Sequence, residues 1–380
     1  MSKSTTSNDD VAKSFAALLN QHRASPGQGQ LTNFTFWCGA GFSKSWDPSY
    51  PTGANLFSGN LTWEFDFLPT VCGSLGLDSR ALEMENVKDI VYALTMYRKY
   101  PDLRPRYVDE ELIAASFGEL IDWVQASLEH NVKHIGYLSP GEHLFTLLGR
   151  LSKDQGAILR MFEQIFRMSH GGDGHASGVR PHFLTTNYDF VIETIIDSHL
   201  GDDDSLFLYT YRGFTPTSIK GANHHRIAID NWLSLNLLKL NGGLEIRSEG
   251  NRFCLDYSKR EVRDPVSRPK LILPSREQDY SDGYFIELFR KCVRLLRETK
   301  VLIIVGYSFP DDDAVLRFLV RQFAESAEDA LGKSIFYVDL SPRTDCLSRL
   351  FSHCGFEDEP RIYSYTGRFG KFAEAVASLL

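Results

Sequence analysis

The sequence predicts an α/β protein built on a doubly wound, mostly parallel sheet, with a long helical insertion. Three observations carry that prediction. From about residue 182 to the C-terminus, short apolar runs alternate with amphipathic stretches. Near the start, Phe34-Thr-Phe-Trp-Cys-Gly-Ala-Gly-Phe-Ser43 passes from an apolar run directly into a glycine-rich turn. Between them, at about 83–170, apolar residues recur at helical spacing. The expected organisation is a tail and helix over 1–30, then one domain over 31–380 interrupted by the insertion.

Val11, Phe15, Leu18 and Leu19 form an apolar stripe that predicts a helix over residues 11 to 24, ended by Pro26-Gly-Gln-Gly29. Thr35 to Cys38 has the aromatic and β-branched character of a strand covered on both faces. Gly39 and Gly41 then lack the Cβ atoms that would block a close-approaching ligand, and such a turn aims backbone N–H groups at a pyrophosphate. A full dinucleotide fingerprint would carry a third glycine where Lys44 stands, and the same glycines also suit an ordinary strand-to-helix turn. The following loop, with Pro48, Pro51 and Gly53, is a candidate lid.

Within the insertion, Phe117, Leu120, Ile121, Val124 and Leu128 follow the i, i+3, i+4, i+7, i+11 rule, and His143 to Met168 is similarly amphipathic. Gly171 to Gly178 reads as a flexible break, followed by a strand over His182 to Thr186. Further strands are expected at Leu237 to Leu240, Leu271 to Leu273, Val301 to Val305 and Ile335 to Asp339. Helices are expected at Tyr284 to Glu298, Asp311 to about Ser326, and the C-terminus. Ligands of such sheets sit beyond the carboxyl ends of the strands. That rule gathers Gly39 to Ser43, Asn187 to Asp189, Asn241 to Gly243, Gly306 to Ser308 and Asp339 at one edge.

Composition narrows the function. The 380 residues are 43% hydrophobic, enough for a substantial core, and the net charge of −8 without a dense Lys/Arg run argues against direct nucleic-acid binding. Met1 to Asp10 is polar and the apolar runs are too short to span a bilayer, so a cytoplasmic protein is expected. The six cysteines form no Cys-x-x-Cys pair, which points to buried free thiols instead of a zinc ribbon or disulfide framework. His224-His225 has no partner at ligand spacing, and no metal is expected.

Asn187 and Asp189, two apart just past a strand, enter one crevice if the chain stays extended. The amide can order a water or sugar hydroxyl, and the carboxylate can accept a hydrogen bond or steady a cationic sugar. That pair suits cleavage of a nicotinamide–ribose bond. It equally suits capping of a helix at Phe190 to Glu193.

Together, Gly39-Ala-Gly-x-Ser43, Thr185-x-Asn-x-Asp189 and Gly306-Tyr-Ser308 resemble the three ordered motifs of the sirtuin-like NAD-binding family. Leu273-Pro-Ser275 and Tyr307-Ser-Phe-Pro-x-x-Asp313 look more like the sirtuin-like NAD hydrolases of prokaryotic antiviral defence than like protein deacylases. The resemblance runs from about residue 33 to 345. It implies a Rossmann-like, sirtuin-like fold and NAD as substrate. Gly39, Ala40 and Gly41 would cradle the pyrophosphate, with Gly242, Gly306 and Tyr307 also at the cofactor. Ser43 and Ser308 would contact phosphate or ribose, Asn187 would orient the water or ribose at the anomeric carbon, and Asp189 would recognise the carboxamide. The products would be nicotinamide and ADP-ribose.

One position departs from the family. Where it has a His-Gly pair, this chain has Lys239-Leu-Asn241-Gly-Gly243. An amide cannot act as a general base, a loss typically costing about 10²- to 10⁴-fold in rate. Asn241 leaves three readings: a natural variant with another base, an NAD- or ADP-ribose-binding subunit with little turnover, or a chain deliberately inactivated here. His175 and His182 flank the second strand as conceivable replacements. Asp202 to Asp204 reads as a solvated turn, and Asp311 to Asp313 as a cap on the next helix that can also bring one carboxylate toward a ligand.

By resemblance, such a hydrolase is an NAD-depleting effector that must be gated. The expected domain leaves no room for a sensor. A partner is therefore implied, a HerA-type hexameric ATPase in preference to a short Argonaute, with self-assembly of this chain to match.

Overall fold

The computed structural model describes residues 7–23, 30–57, 63–80, 82–133, 135–137, 150–172, 175–199, 209–211, 216–221, 227–228, 235–250, 252–258, 262–263, 268–354 and 362–380. The strands among them are β1 (Leu31–Cys38), β2 (Ser169–Gly172), β3 (His175–Thr185), β4 (Tyr209–Tyr211), β5 (Ile219–Lys220), β6 (Ile227–Ala228), β7 (Leu235–Lys239), β8 (Ile246–Glu249), β9 (Arg252–Asp256), β10 (Thr299–Val305), β11 (Ser334–Asp339) and β12 (Ile362–Thr366). The helices are α1 (Asn8–Gln21), α2 (Ala40–Trp46), α3 (Leu68–Ser74), α4 (Met84–Lys99), α5 (Glu110–Asn131), α6 (Lys153–Phe166), α7 (Val191–His199), α8 (Gly283–Glu298), α9 (Ala314–Val320), α10 (Thr344–Leu350) and α11 (Phe369–Ala377).

The main sheet runs β12-β11-β10-β1-β3-β7-β4-β6, and every pair along that path is parallel. Its six longer strands β1, β3, β7, β10, β11 and β12 lie in the order sixth-fifth-fourth-first-second-third, the order of a Rossmann fold. The topological switch point therefore falls between β1 and β10. Their register also levels the strand ends: Val338, Val305, Cys38, Thr185 and Lys239 stand in one row across five strands. The residues just beyond that row are forced to share one edge.

Both faces of the sheet are covered. Phe34, Thr35, Phe36, Trp37 and Cys38 are all fully buried, as a central parallel strand requires. On one face Phe36 stacks with Phe183 and meets Phe162 of α6, while Phe15 of α1 packs on Phe336 and Phe372. On the other, Trp37 packs against Tyr307 and Phe309. Thus α6, which falls inside the stretch expected as an insertion, lies on the sheet. In α5, Leu120, Val124 and Leu128 are buried on the predicted stripe, with Phe117 and Ile121 packed at its margin.

Several expectations are corrected. The described residues of Gly171 to Gly178 are paired: β2 runs antiparallel to the start of β3, from Ser169 opposite Gly178 to Gly172 opposite His175. Backbone pairing needs no side-chain pattern, so the glycines hid it. Leu271 to Leu273 is no strand. Flanked by Pro269 and Pro274, which lack N–H donors, it makes a single bridge from Leu271 to Gly242. The helix expected over Asp311 to Ser326 is shorter, α9 giving way to a 3₁₀ turn at Arg321–Phe323, and β12 and α10 carried no clear periodic signal. Pro26 to Gly29, His224-His225 and Asp202 to Asp204 lie outside the described residues, as do residues 143–149 of the amphipathic run. All six cysteines are free and buried. Among the described residues no helix is long and apolar enough to cross a membrane.

Candidate active site

At the switch point the turns ending β1 and β10 touch. The Gly39 N–H donates to the Val305 carbonyl (2.9 Å) and the Gly41 N–H to the Gly306 carbonyl (3.0 Å). A Cβ on Gly41 would lie 2.6 Å from Gly306 Cα; Gly306, at φ +59°, would bring its own Cβ to 2.4 Å from Gly41 Cα. The glycines here make room for each other's backbone, a use of the missing Cβ beside the ligand approach expected from sequence, and Gly41 and Gly306 also line the cavity described next. Phe309, in the same turn, also holds a left-handed conformation (φ 49°) while fully buried.

Beyond these turns opens a cavity of ≈ 990 Å³. Of the sequence candidates, Ala40, Gly41, Ser43, Asn187, Asp189, Asn241, Gly306, Tyr307 and Ser308 line it. Gly39 sits behind the wall against Tyr307, and Gly242 (φ +82°) packs where a Cβ would come 2.0 Å from the Lys270 carbonyl oxygen. The loop with Pro48, Pro51 and Gly53 and the first turns of α4 complete the lining, as do the cations Lys44 and Arg368.

Two hydrogen-bonded chains end on this cavity. In the first, Asn187 Nδ2 donates to the Gly39 carbonyl (2.9 Å) and to Ser43 Oγ (2.8 Å), and Ser43 Oγ donates to Asp189 Oδ2 (2.7 Å). Asp189 Oδ1 accepts the Val191 N–H (3.0 Å), so this carboxylate both caps α7 and faces the site. Burial raises its pKa, opposed by the bonds from Ser43 and Val191 and by the charge of Lys239. Lys239 Nζ donates to the Asp189 carbonyl (2.5 Å) and pairs with Glu193 (2.7 Å) and Glu245 (3.0 Å), three fully buried charges that fix the loop from beneath.

In the second chain, Tyr280 Oη lies 2.7 Å from the Asn241 side-chain amide and 2.9 Å from Gln278 Oε1, while Gln278 Nε2 donates to Asp313 Oδ1 (2.8 Å). The Tyr307 hydroxyl donates to Asp313 Oδ2. The Tyr280 hydroxyl has one proton for two acceptors, Asn241 Oδ1 and Gln278 Oε1, so the two amides compete for it. Burial raises the pKa of Asp313, partly offset by the Tyr307 and Gln278 hydrogen bonds.

Sequence reasoning missed Gln278 and Tyr280, which sit in a polar stretch without periodicity. Asp313 was expected mainly as a cap, yet makes no side-chain cap bond on α9. His182, a conceivable base, is fully buried away from the cavity. Its nitrogens are taken by Asn33 Oδ1 (3.2 Å) and the Asn236 N–H (2.9 Å), and burial drives its pKa well down. The side chain of His175 lies outside the described residues. Among the described residues no cluster of three His, Cys, Asp or Glu side chains forms a metal site.

Residues 181–357 match the family model of the SIR2-like domain. That segment contains Asn187, Asp189, Asn241, Gly306 to Ser308 and Asp313, and begins after the Gly39 turn. Among solved structures, one described for the mechanism and regulation of Sir2 enzymes is similar at 11% identity, covering 97% of each chain with a TM-score of 0.42. A structure on sirtuin substrate affinity is similar at 13% identity, covering 96% of this chain and 97% of that one (TM-score 0.40). A Sir2 mutant with a p53 peptide and NAD is similar at 14% identity, covering 97% of each (TM-score 0.39). No curated protein matches the chain.

Proposed function

We propose that the chain binds NAD in this cavity and hydrolyses its nicotinamide–ribose bond, releasing nicotinamide and ADP-ribose. The observation that carries this reading is Asn187, held on the cavity wall at the switch point by the Gly39 carbonyl and Ser43. The cavity volume falls at the upper end of the roughly 300–1,000 Å³ of small-molecule sites. Lys44 and Arg368 on its wall suit a pyrophosphate, as do Ser308 and the turn at Ala40 and Gly41.

Nicotinamide leaves as a neutral molecule and needs no acid. Asn187, with Nδ2 committed, presents its amide oxygen to a water or ribose hydroxyl. Asp189 retains lone pairs beyond its two hydrogen bonds for the carboxamide. The motif resemblance supports the further reading of a cytoplasmic, self-assembling, NAD-depleting antiviral effector gated by a HerA-type ATPase, with a short Argonaute as the lesser choice.

Asn241 favours a second reading, a non-catalytic subunit that senses NAD or ADP-ribose. The test is nicotinamide release from NAD by the purified chain, alone and with a HerA-type ATPase, beside Asn241→His and Asn187→Ala. Release by the parent, abolished in Asn187→Ala, is expected. Release by Asn241→His alone marks a hydrolase disabled at one position, and tight binding without product in every case leaves the sensor.

A further inference from the structure

If NAD hydrolysis is the activity, the lost histidine leaves a proton without an acceptor. We propose that Asp313 is the general base that replaces it, reaching the attacking water from the wall it shares with Asn241. This rests on the hydrolase reading.

The placement singles out Asp313 among the acids on the cavity, of which Glu83 is exposed at the start of α4. Asp189 lies in the field of Lys239, which lowers its basicity, and its remaining lone pairs are assigned to the carboxamide. Asp312 is paired with Lys88, and Glu85 with both Lys88 and Arg276. Asp339 accepts the Ser341 N–H at the end of β11. Asp313 alone is joined to Asn241, through Gln278 and Tyr280. Its carboxylate accepts one bond on each oxygen and keeps a lone pair on each for a water.

The step balances. The water oxygen bonds to the anomeric carbon, and the bond to the nicotinamide ring nitrogen breaks with both electrons going to nitrogen. The water proton passes to Asp313. Burial makes the carboxylate a stronger base than an exposed aspartate, so ionised Asp313 is lost at a higher pH than usual. The charged and titratable groups around it are Tyr307, Asp312, Lys88 of α4, Tyr188, Tyr280, and Arg317 of α9. The three tyrosines are held neutral by their own raised pKa values, so the acid limb falls to the carboxylates of the site, and its response to substitution at Asp313 and Tyr307 is what assigns it.

The test measures nicotinamide release against pH, under the condition in which the parent turns over, together with NAD binding by calorimetry. Asp313→Asn is expected to lower turnover about 10²- to 10⁴-fold with little change in Kd, and to abolish the acid limb. Tyr307→Phe removes a hydrogen bond that favours the ionised carboxylate, so the limb should move to higher pH, a shift that a structural defect does not produce. Asp313→Asn with parental turnover and an intact limb, or an unmoved limb in Tyr307→Phe, overturns the assignment while hydrolysis stands. A parent that binds NAD but releases no nicotinamide under any condition overturns both.

Discussion

The two walls of the cavity are built in different ways. One is made by the ends of β1 and β3, where strand register alone carries Gly39, Gly41 and Asn187 to the same edge, and where Ser43 links Asn187 to Asp189 within a few residues of those strands. The other is made by side chains from the segment over 275–280 and the turn before α9, joined through Tyr280, Gln278 and Asp313, with Tyr307 also bonded to Asp313. The first wall is a consequence of sheet geometry. The second depends on a non-helical segment being laid across the site, anchored by the Ile272 N–H to the Asn241 carbonyl and by Tyr188 Oη to the Ile272 carbonyl.

This contrast can be broken from beneath. Lys239→Met removes the cation between Glu193 and Glu245, both fully buried, and should cost about 3–5 kcal/mol of stability in a denaturant melt, because carboxylates are left in a dry interior. A parental midpoint would mean that the first wall does not rest on this network.

Gly41→Ala strikes the contact between the two turns. The added methyl lies 2.6 Å from backbone, which cannot rotate away, and overpacking of this kind costs about 1–3 kcal/mol. An unchanged melting temperature would show that the turns separate freely.

The two chains can then be compared directly. Ser43→Ala leaves Asp189 Oδ2 and Asn187 Nδ2 each short of a partner in a buried site, worth about 1–3 kcal/mol in nicotinamide release. Tyr280→Phe removes one hydroxyl between two amides and should cost only about 0.5–1.5 kcal/mol. The reverse order would make the second wall the dominant one.

The smallest effect is one of pH. His182 is neutral in the fold with its pKa driven well below 6.5, whereas the unfolded chain takes up a proton near pH 6.5. The unfolded state then binds more protons as pH falls, so the stability His182 contributes is complete above about pH 6.5 and is lost below it. Melting temperatures of the parent and His182→Gln between pH 5 and 7.5 should converge toward the acid end. Parallel curves would place the pH dependence elsewhere.

The first wall was legible in the sequence because its cause is local. An apolar strand must end, the residues after it must leave the sheet edge, and parallel register puts the ends level. Hence the sequence places Gly39, Ser43, Asn187, Asp189 and Gly306 at one edge, and the fold adds a packing use for the glycines. Asp189 also shows that two readings need not compete, since Oδ1 caps α7 while Oδ2 accepts from Ser43 on the cavity wall.

Asn241 marks where sequence stops. The chain by itself determined the doubly wound sheet and the edge at which its strand ends gather, and it carries an asparagine where the family it resembles has a histidine. Only the tertiary structure decided what stands beside that position. Asp313 and Asn241 are far apart in the chain and are joined by side chains from a stretch with neither helical nor strand period. Hydrogen bonds between such residues follow from how segments pack, and no local pattern records them.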